Sequence, residues 1–333
     1  MSRRTTIKQV ALEANVSVAT ISRALQNPEV VAPATLERVQ VAIQKLGYFP
    51  NAQARNLRTE RSWLIIALVP DIANPFFSEV IRGIERVAHA NGYSVLLGDT
   101  EYDPGREERY AQLVATRQAD GIVTLLPHTP TICRSGRLPI VNACEYVTDK
   151  AITSIYVDNI GGARAITDYL LLLGHRDIAL INGRESPISS DRARGYRDAL
   201  AARDIAPDER LIVSGDFGAE SGVRAIETLL AGGAPFSAVF CSSDEMALGA
   251  IRGLRARGLR VPEDVSVAGF DDIQLARFFD PPLTTIAQPK SELGEEAMRM
   301  LLDLLNDPQT PVRKRMLPTE LVIRGSTGAP REM

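Results

Sequence analysis

Apolar residues near the start of the chain recur three and four positions apart. Ile7, Val10, Ala11 and Ala14 fall on one helical face. Thr6 stands just before them with Gln9 three residues on, the spacing of a capping box in which hydroxyl and amide each satisfy an early backbone N–H. Asn15-Val16 breaks the pattern, and Ser17 can cap a second helix. That helix should turn Ile21 and Leu25 inward and leave Val18, Ala19, Ser22 and Arg23 on the other side. Asn27-Pro28 stops it. A third helix is expected from about Pro33, with Leu36, Val39, Ile43 and Leu46 on one stripe and Gly47 at its C-terminal cap.

Two helices joined by so short a break match a helix-turn-helix, whose second helix lies in the major groove of DNA. A small three-helix bundle with no nucleic-acid role would show the same periodicity. The outward face of the second helix leans toward DNA. It is small and polar with one Arg, whereas a plain solvated helix is rich in Glu and Lys. Residues 48–62 read as a junction. Tyr48-Phe-Pro-Asn51 suits a turn, and Asn51 can cap a short helix through Leu57. At about two turns such a helix is marginal in water without a partner, and a plain linker is the alternative.

From Trp63 the period changes. Short apolar runs alternate with amphipathic segments: strands at Leu64–Val69, Tyr93–Leu97, Gly121–Leu126 and Pro139–Asn142, with helices at Phe76–Ala90 and Arg106–Gln118 between them. A second round places strands at Ile178–Asn182, Leu211–Val213, Ala238–Cys241 and Val265–Phe270. Its helices are expected at Gly162–Leu173, Arg192–Arg203, Ser221–Ala231 and Glu245–Arg257. Two such rounds predict two parallel-sheet lobes. In sheets of this kind ligands bind beyond the C-terminal strand ends, so facing lobes would enclose a central cleft. The expected division is 1–48, a helical head; 49–62, a junction; and 63–330, a two-lobed α/β core.

Charge sharpens the division. The chain of 333 residues carries a net −3, but residues 1–61 hold nine Lys/Arg against four acids, +5, leaving −8 on the remainder. A basic head on an acidic body points to nucleic acid at one end. With 45% hydrophobic and 24% charged residues the composition is that of a globular protein. No apolar run approaches the ~20 residues that cross a bilayer, and residues 1–30 show no secretory h-region, so a cytoplasmic protein without a membrane role is expected. Cys133, Cys144 and Cys241 are scattered, with neither metal-ligand nor disulfide spacing. No Walker loop, GxGxxG after a strand, GxSxG or HExxH occurs. No enzyme, cofactor or metal is therefore expected. His175, after Gly174 in a helix-to-strand turn, reads as structural.

The segments "TIKQVALEANVSVATISRALQNPEVV" and "GYFPNAQARNL" resemble the DNA-binding head and hinge helix of LacI/GalR transcription factors. "PDIANPFFSEVIRGIE", "VDNIGGARAITDYLLLLGHRDIALING", "AVFCSSDEMALGAI", "GLRVPEDVSVAGFDDI", "DPPLTTIAQPKSELGEEAM" and "ELVIRGST" resemble the same family's periplasmic-binding-protein-like core. The likeness spans residues 5–327 and is greatest to the cytidine-responsive branch. It implies an effector-controlled repressor, active as a homodimer on double-stranded operator DNA. Its base-reading positions fall on Val18, Ala19 and Arg23. Arg23 suits a bidentate contact to guanine, while Val18 and Ala19 offer only apolar contact. Ser22 can donate to a base or phosphate, and Thr6 and Ser17 suit phosphates. In the hinge, Leu57 corresponds to a minor-groove wedge, with Asn51, Ala54 and Arg55 beside it; burial of Leu57 in the core is the alternative. Ala32 departs from the polar cap the family often has before its third helix.

For the effector the resemblance implies Phe76, Phe77 and Phe217 as aromatic contacts and Arg192 with Asp271 as a donor–acceptor pair for vicinal hydroxyls. Core packing of each Phe, and a surface ion pair for Arg and Asp, are the alternatives. Asp244 follows Ser243 at another loop and reads as the cap of the next helix. Cys144 stands where the family often has Asp or Asn. A nucleoside, cytidine-like before purine, is the expected effector: the aromatic faces suit a base, the Arg–Asp pair a ribose diol, and the mapped cleft lacks the clustered cations that a nucleotide's phosphate requires. A sugar is the runner-up, and a solute-binding protein without DNA function is the reading the basic head opposes.

Overall fold

The computed structural model describes residues 5–49, 61–134, 138–144 and 151–331. Contacts divide the chain after Ser62 into two compact units.

In the head, α1 (Ile7–Glu13) begins with the expected capping box: Gln9 N–H donates to Thr6 Oγ1 and Thr6 N–H to Gln9 Oε1. Asn15 closes the turn at φ 50°, a left-handed conformation Asn tolerates. Ser17 caps α2 (Val18–Gln26) by accepting from Thr20 N–H. The third helix, α3 (Pro33–Leu46), starts on Ala32 with no side-chain cap, carries Pro at its first position and ends on left-handed Gly47. Val10, Ala11, Ala14, Ile21, Ala24, Val39, Ala42 and Tyr48 form the core of this unit. One expectation is corrected: Leu25 is exposed and Ala24 is buried. Both lie within a turn of Ile21, and the core contact falls on the smaller side chain, which lets the helices approach closely.

The second unit holds two parallel sheets. Lobe one contains β1 (Leu64–Val69), β2 (Ser94–Asp99), β3 (Gly121–Thr124), β4 (Ile140–Cys144) and β5 (Thr153–Val157). The intervening helices are α4 (Pro75–Ala90) and α5 (Pro104–Ala115). Lobe two contains β6 (Ile178–Asn182), β7 (Ile212–Ser214), β8 (Ala238–Cys241), β9 (Ser266–Asp271) and β10 (Thr284–Ala287). Its helices are α6 (Asn159–Leu172), α7 (Pro187–Ala201), α8 (Ala219–Gly232) and α9 (Asp244–Ala256). The chain then returns to lobe one with α10 (Lys290–Asn306) and β11 (Lys314–Leu317), and ends in lobe two with β12 (Glu320–Val322).

Strand order is β11-β5-β4-β3-β1-β2 in one sheet and β12-β10-β9-β8-β6-β7 in the other; every pairing is parallel except β10 with β12. The order reverses between β1 and β3, and again between β6 and β8, the points at which doubly wound sheets bind ligands. The chain crosses between lobes three times, at 157–159, 287–290 and 317–320. The central strands are near-continuous apolar runs, as burial on both faces demands. Helix α10 seats on lobe one against α4 through two glycines. A Cβ on Gly83 would lie 2.2 Å from Ser291 O, and one on Gly294 2.0 Å from Val80 O.

Periodicity did not reveal β5, β10, β11, β12 or α10. Elsewhere the boundaries differ by a few residues, mostly because proline begins the helix early: Pro75 and Pro104 by one and two residues, Pro187 by five. His175 is buried and bonded to Ser237, Ser266 and the Gly328 carbonyl; burial lowers its pKa. No helix among the described residues is long and apolar enough to cross a membrane.

Candidate functional site

On α2, Val18, Ala19 and Arg23 are exposed and Ser22 is half-buried. In this unit Lys45 pairs with Glu13, and among the described residues no carboxylate pairs with Arg23, which is exposed. The Thr6 hydroxyl donates to Gln9 Oε1 at 3.0 Å, and Ser17 Oγ sits 2.9 Å from Thr20 Oγ1. Both hydroxyls are thus engaged in capping, so a phosphate here would meet helix-start amides more readily than these side chains. Asn51, Ala54, Arg55 and Leu57 lie outside the described residues.

The five residues expected around an effector line one cavity. Phe76 and Phe77 follow β1: Asn74 caps α4 by accepting from Phe76 N–H at 2.9 Å, and both buried rings line the cavity, edge to face at 5.2 Å. Phe217 follows β7 at φ 72° and lies against Gly183, where a Cβ would sit 2.0 Å from the ring. Arg192 projects from the second turn of α7 and Asp271 ends β9, their charged groups 3.8 Å apart. Arg192 also donates through Nε to Asn159 Oδ1 at 2.9 Å and through Nη1 to the Ser242 carbonyl, and its guanidinium lies 3.7 Å from the Phe270 ring centre. A surface ion pair is therefore not its role: both partners are nearly fully buried.

The same cavity takes side chains that sequence reading missed. Gln288, after β10, donates to Asp271 Oδ1 at 2.6 Å. Arg184, after β6, stacks 3.9 Å over the Tyr102 ring, which comes from lobe one. Arg184 is a cation the sequence reading left out of the cleft, although Arg192 is already bound to protein groups. Four lining residues, Tyr102, Cys144, Phe217 and Asp271, have positive φ without being glycine, at 57°, 79°, 72° and 125°. Strain of this kind collects where side chains are held for function.

Asp244 does not cap α9. Ser243 does, accepting from Met246 N–H at 3.2 Å. Asp244 is fully buried one residue further on and accepts from Ile273 N–H at 2.8 Å and Thr285 Oγ1 at 2.5 Å. It braces the turn that presents Asp271. Burial raises the pKa of Asp244, and the charge of Asp271 adds to that. Burial likewise raises Asp271, against the opposing pull of Arg192 and Lys290. Glu245 is pushed up to about 6, first by burial and then by Asp71, Asp271 and Asp216.

An acid whose pKa is raised by folding stabilises the fold at low pH and loses that contribution as pH rises through the folded value. Unfolding free energy of the core should therefore fall from about pH 4, the ordinary carboxylate value, toward neutrality. Carboxylates held down by Arg, such as Asp264 beside Arg260, act below that window. Asp244→Asn should flatten the fall; urea titrations across the range that give the same slope in both proteins would rule Asp244 out as its source.

Comparison with known proteins places these features in context. The profile of bacterial regulatory proteins of the lacI family matches residues 6–51, and that of the periplasmic binding protein-like domain matches residues 167–327. The HTH-type transcriptional repressor CytR of Escherichia coli strain K12 is 44% identical over 329 residues, covering 97% of this chain and 96% of the relative. Among solved structures, the lac repressor dimer bound to operator and the anti-inducer ONPF has a TM-score of 0.87 at 29% identity, covering 98% of this chain and all of that one. A complex of the transcriptional regulator CelR with cellobiose has a TM-score of 0.75 at 34% identity, covering 97% and 100%.

Proposed function

Since the chain belongs to the lacI family of bacterial regulatory proteins, we propose that it represses transcription as a homodimer on a near-palindromic operator, under the control of a nucleoside. That it is a DNA-binding transcriptional regulator with an effector-binding domain, and not an enzyme, follows from the family. The effector, the dimer and the residue roles are the proposal.

One α2 face offers too few base contacts for a unique site, and two-fold pairing doubles them. Arg23 reads guanine in each half-site, with Val18 and Ala19 against apolar edges and Ser22 donating nearby. The hinge roles rest on the resemblance alone: Leu57 is the minor-groove wedge, flanked by Asn51, Ala54 and Arg55. A regulator of this kind works in the cytoplasm.

The observation that carries the effector reading is the meeting of three aromatic rings with a buried Arg–Asp pair in one cavity. Flat apolar faces suit a base, and Arg192 with Asp271 suits a ribose diol as donor and acceptor. Arg192 already spends donors on Asn159 and Ser242, and Arg184 stacked on Tyr102 is one further cation rather than the cluster a phosphate requires, which leaves an uncharged nucleoside ahead of its phosphate ester. A sugar is the second reading. The same pair grips hydroxyls, rings stack on sugar faces, and the CelR structure holds cellobiose.

Calorimetric titration separates the two. Cytidine should bind, and 2′-deoxycytidine should lose about 1–3 kcal/mol because a buried polar partner is left unsatisfied. If ribose binds as tightly as cytidine, the base contributes nothing and the sugar reading replaces the nucleoside.

A further inference from the structure

Asp271 reaches the cavity from lobe two, yet it is held by the segment in which the chain leaves that lobe. Gln288 donates to its side chain, and two residues later Lys290 Nζ donates to the Asp271 carbonyl at 2.6 Å and the Asp272 carbonyl at 2.8 Å. Lys290 is the first residue of α10, a lobe-one helix, and is only 5% exposed. The nearest carboxylate oxygen paired with it is Glu79 Oε1 of α4, at 4.0 Å. A buried ammonium met mainly by two carbonyls is costly to desolvate. An apolar residue would fill the space at less cost but could not bind the turn.

The turn itself is unusual. Asp271 and Asp272 both have positive φ, 125° and 51°, and both of their carbonyls accept from one ammonium. The ion-pair partner of Asp271 is tied to a crossing as well: Arg192 bonds Asn159, which opens α6 directly after the first passage between lobes.

We infer that Lys290 is a positioning residue that couples occupancy of the cavity to the placement of lobe one. It rivets the Asp271–Asp272 turn of lobe two to the N-terminus of α10. An effector that engages Asp271 shifts this turn, Lys290 passes the shift to α10, and the glycine seam between α10 and α4 passes it into lobe one. The inference rests on Asp271 being an effector contact.

The test uses full-length wild type, Lys290→Met, which removes the donors, and Lys290→Gln, which keeps an amide donor. The quantity measured is the factor by which saturating cytidine, and separately ribose, changes the affinity for a duplex selected from a random pool. Such coupling factors are typically about 5–150. In Lys290→Met the factor should collapse to within about twofold of unity, a larger change than the loss in cytidine affinity itself, and Lys290→Gln should lie between. A purely structural role would weaken binding and leave the factor intact, and that result overturns the inference.

Deuterium exchange without effector supplies a second readout. Lys290→Met should exchange faster both at residues 271–273 and in the α4 turn bearing Glu79. If wild type responds to neither cytidine nor ribose, the effector reading fails, and exchange alone decides the rivet: unchanged uptake in α4 refutes it. If Lys290→Met does not melt cooperatively, Lys290→Gln carries both measurements.

Discussion

Arg23→Ala should erase the preference for operator over random DNA while leaving weak, salt-sensitive binding in place. The guanidinium is exposed on α2 with no carboxylate partner among the described residues; of the other outward positions Val18 and Ala19 have no hydrogen-bonding side chain, and Ser22 is half-buried with a single hydroxyl. A bidentate Arg–guanine contact discriminates by about 1–3 kcal/mol. A dimer reading two half-sites loses about twice that, at least thirtyfold at the lower bound. Phosphate contacts are untouched, so the slope of log K against log salt should hardly change. Fluorescence anisotropy on a selected duplex and its scrambled counterpart, at matched salt, measures both quantities. A variant that keeps the wild-type ratio would move base reading away from Arg23.

Arg192→Met should destabilise the core by about 3–5 kcal/mol, the scale for removing one partner of a buried ion pair, and abolish effector binding. Methionine can lie on Phe270 where the guanidinium stacks, but it takes a donor from Asn159 Oδ1 and the Ser242 carbonyl and leaves the Asp271 carboxyl, still bonded by Gln288, without its paired cation. Asp271 can respond by taking up a proton, since burial already raises its pKa and Arg192 is the first of the groups that oppose this. The deficit should accordingly be smaller near pH 5 than near pH 8, as the variant's folded state then binds a proton that the unfolded chain releases. Urea unfolding at the two pH values checks this. Equal deficits would mean that Arg192 serves packing rather than the charge of Asp271.

The head was legible because its signals are local. A capping box, a Pro at a helix start and a Gly at a helix end act within four residues, and each appears where periodicity placed it. The core's alternation of strand and helix was legible for a related reason: buried central strands are apolar throughout. Edge strands carry no such signal. In β11 only Leu317 is buried, and β12 is three residues long.

The cap of α9 shows a different limit. Ser243 and Asp244 are both good caps, and the choice rests on backbone geometry and on Thr285, forty-one residues away, which recruits Asp244. Gln288, Lys290 and Asn159 were missed for that same reason. Each stands at a crossing between lobes and bonds a residue seventeen or more positions away, so no spacing along the chain announces them. The five effector candidates were reached through family likeness. By pattern alone each Phe was indistinguishable from core.

The three crossings also govern the order in which the protein can be completed during synthesis. By Val157 the ribosome has delivered β1 to β5, yet the helix that covers Val123, Val141, Ala143 and Ile155 is α10, and the outer strand is β11. At ~5–20 residues per second, Leu317 follows about 10–30 s later. Over that interval lobe two is assembled in full except for β12, while lobe one waits with an apolar sheet face uncovered and an unpaired edge on β5. That nascent intermediate, rather than the finished regulator, is the species most exposed to aggregation and to capture by chaperones.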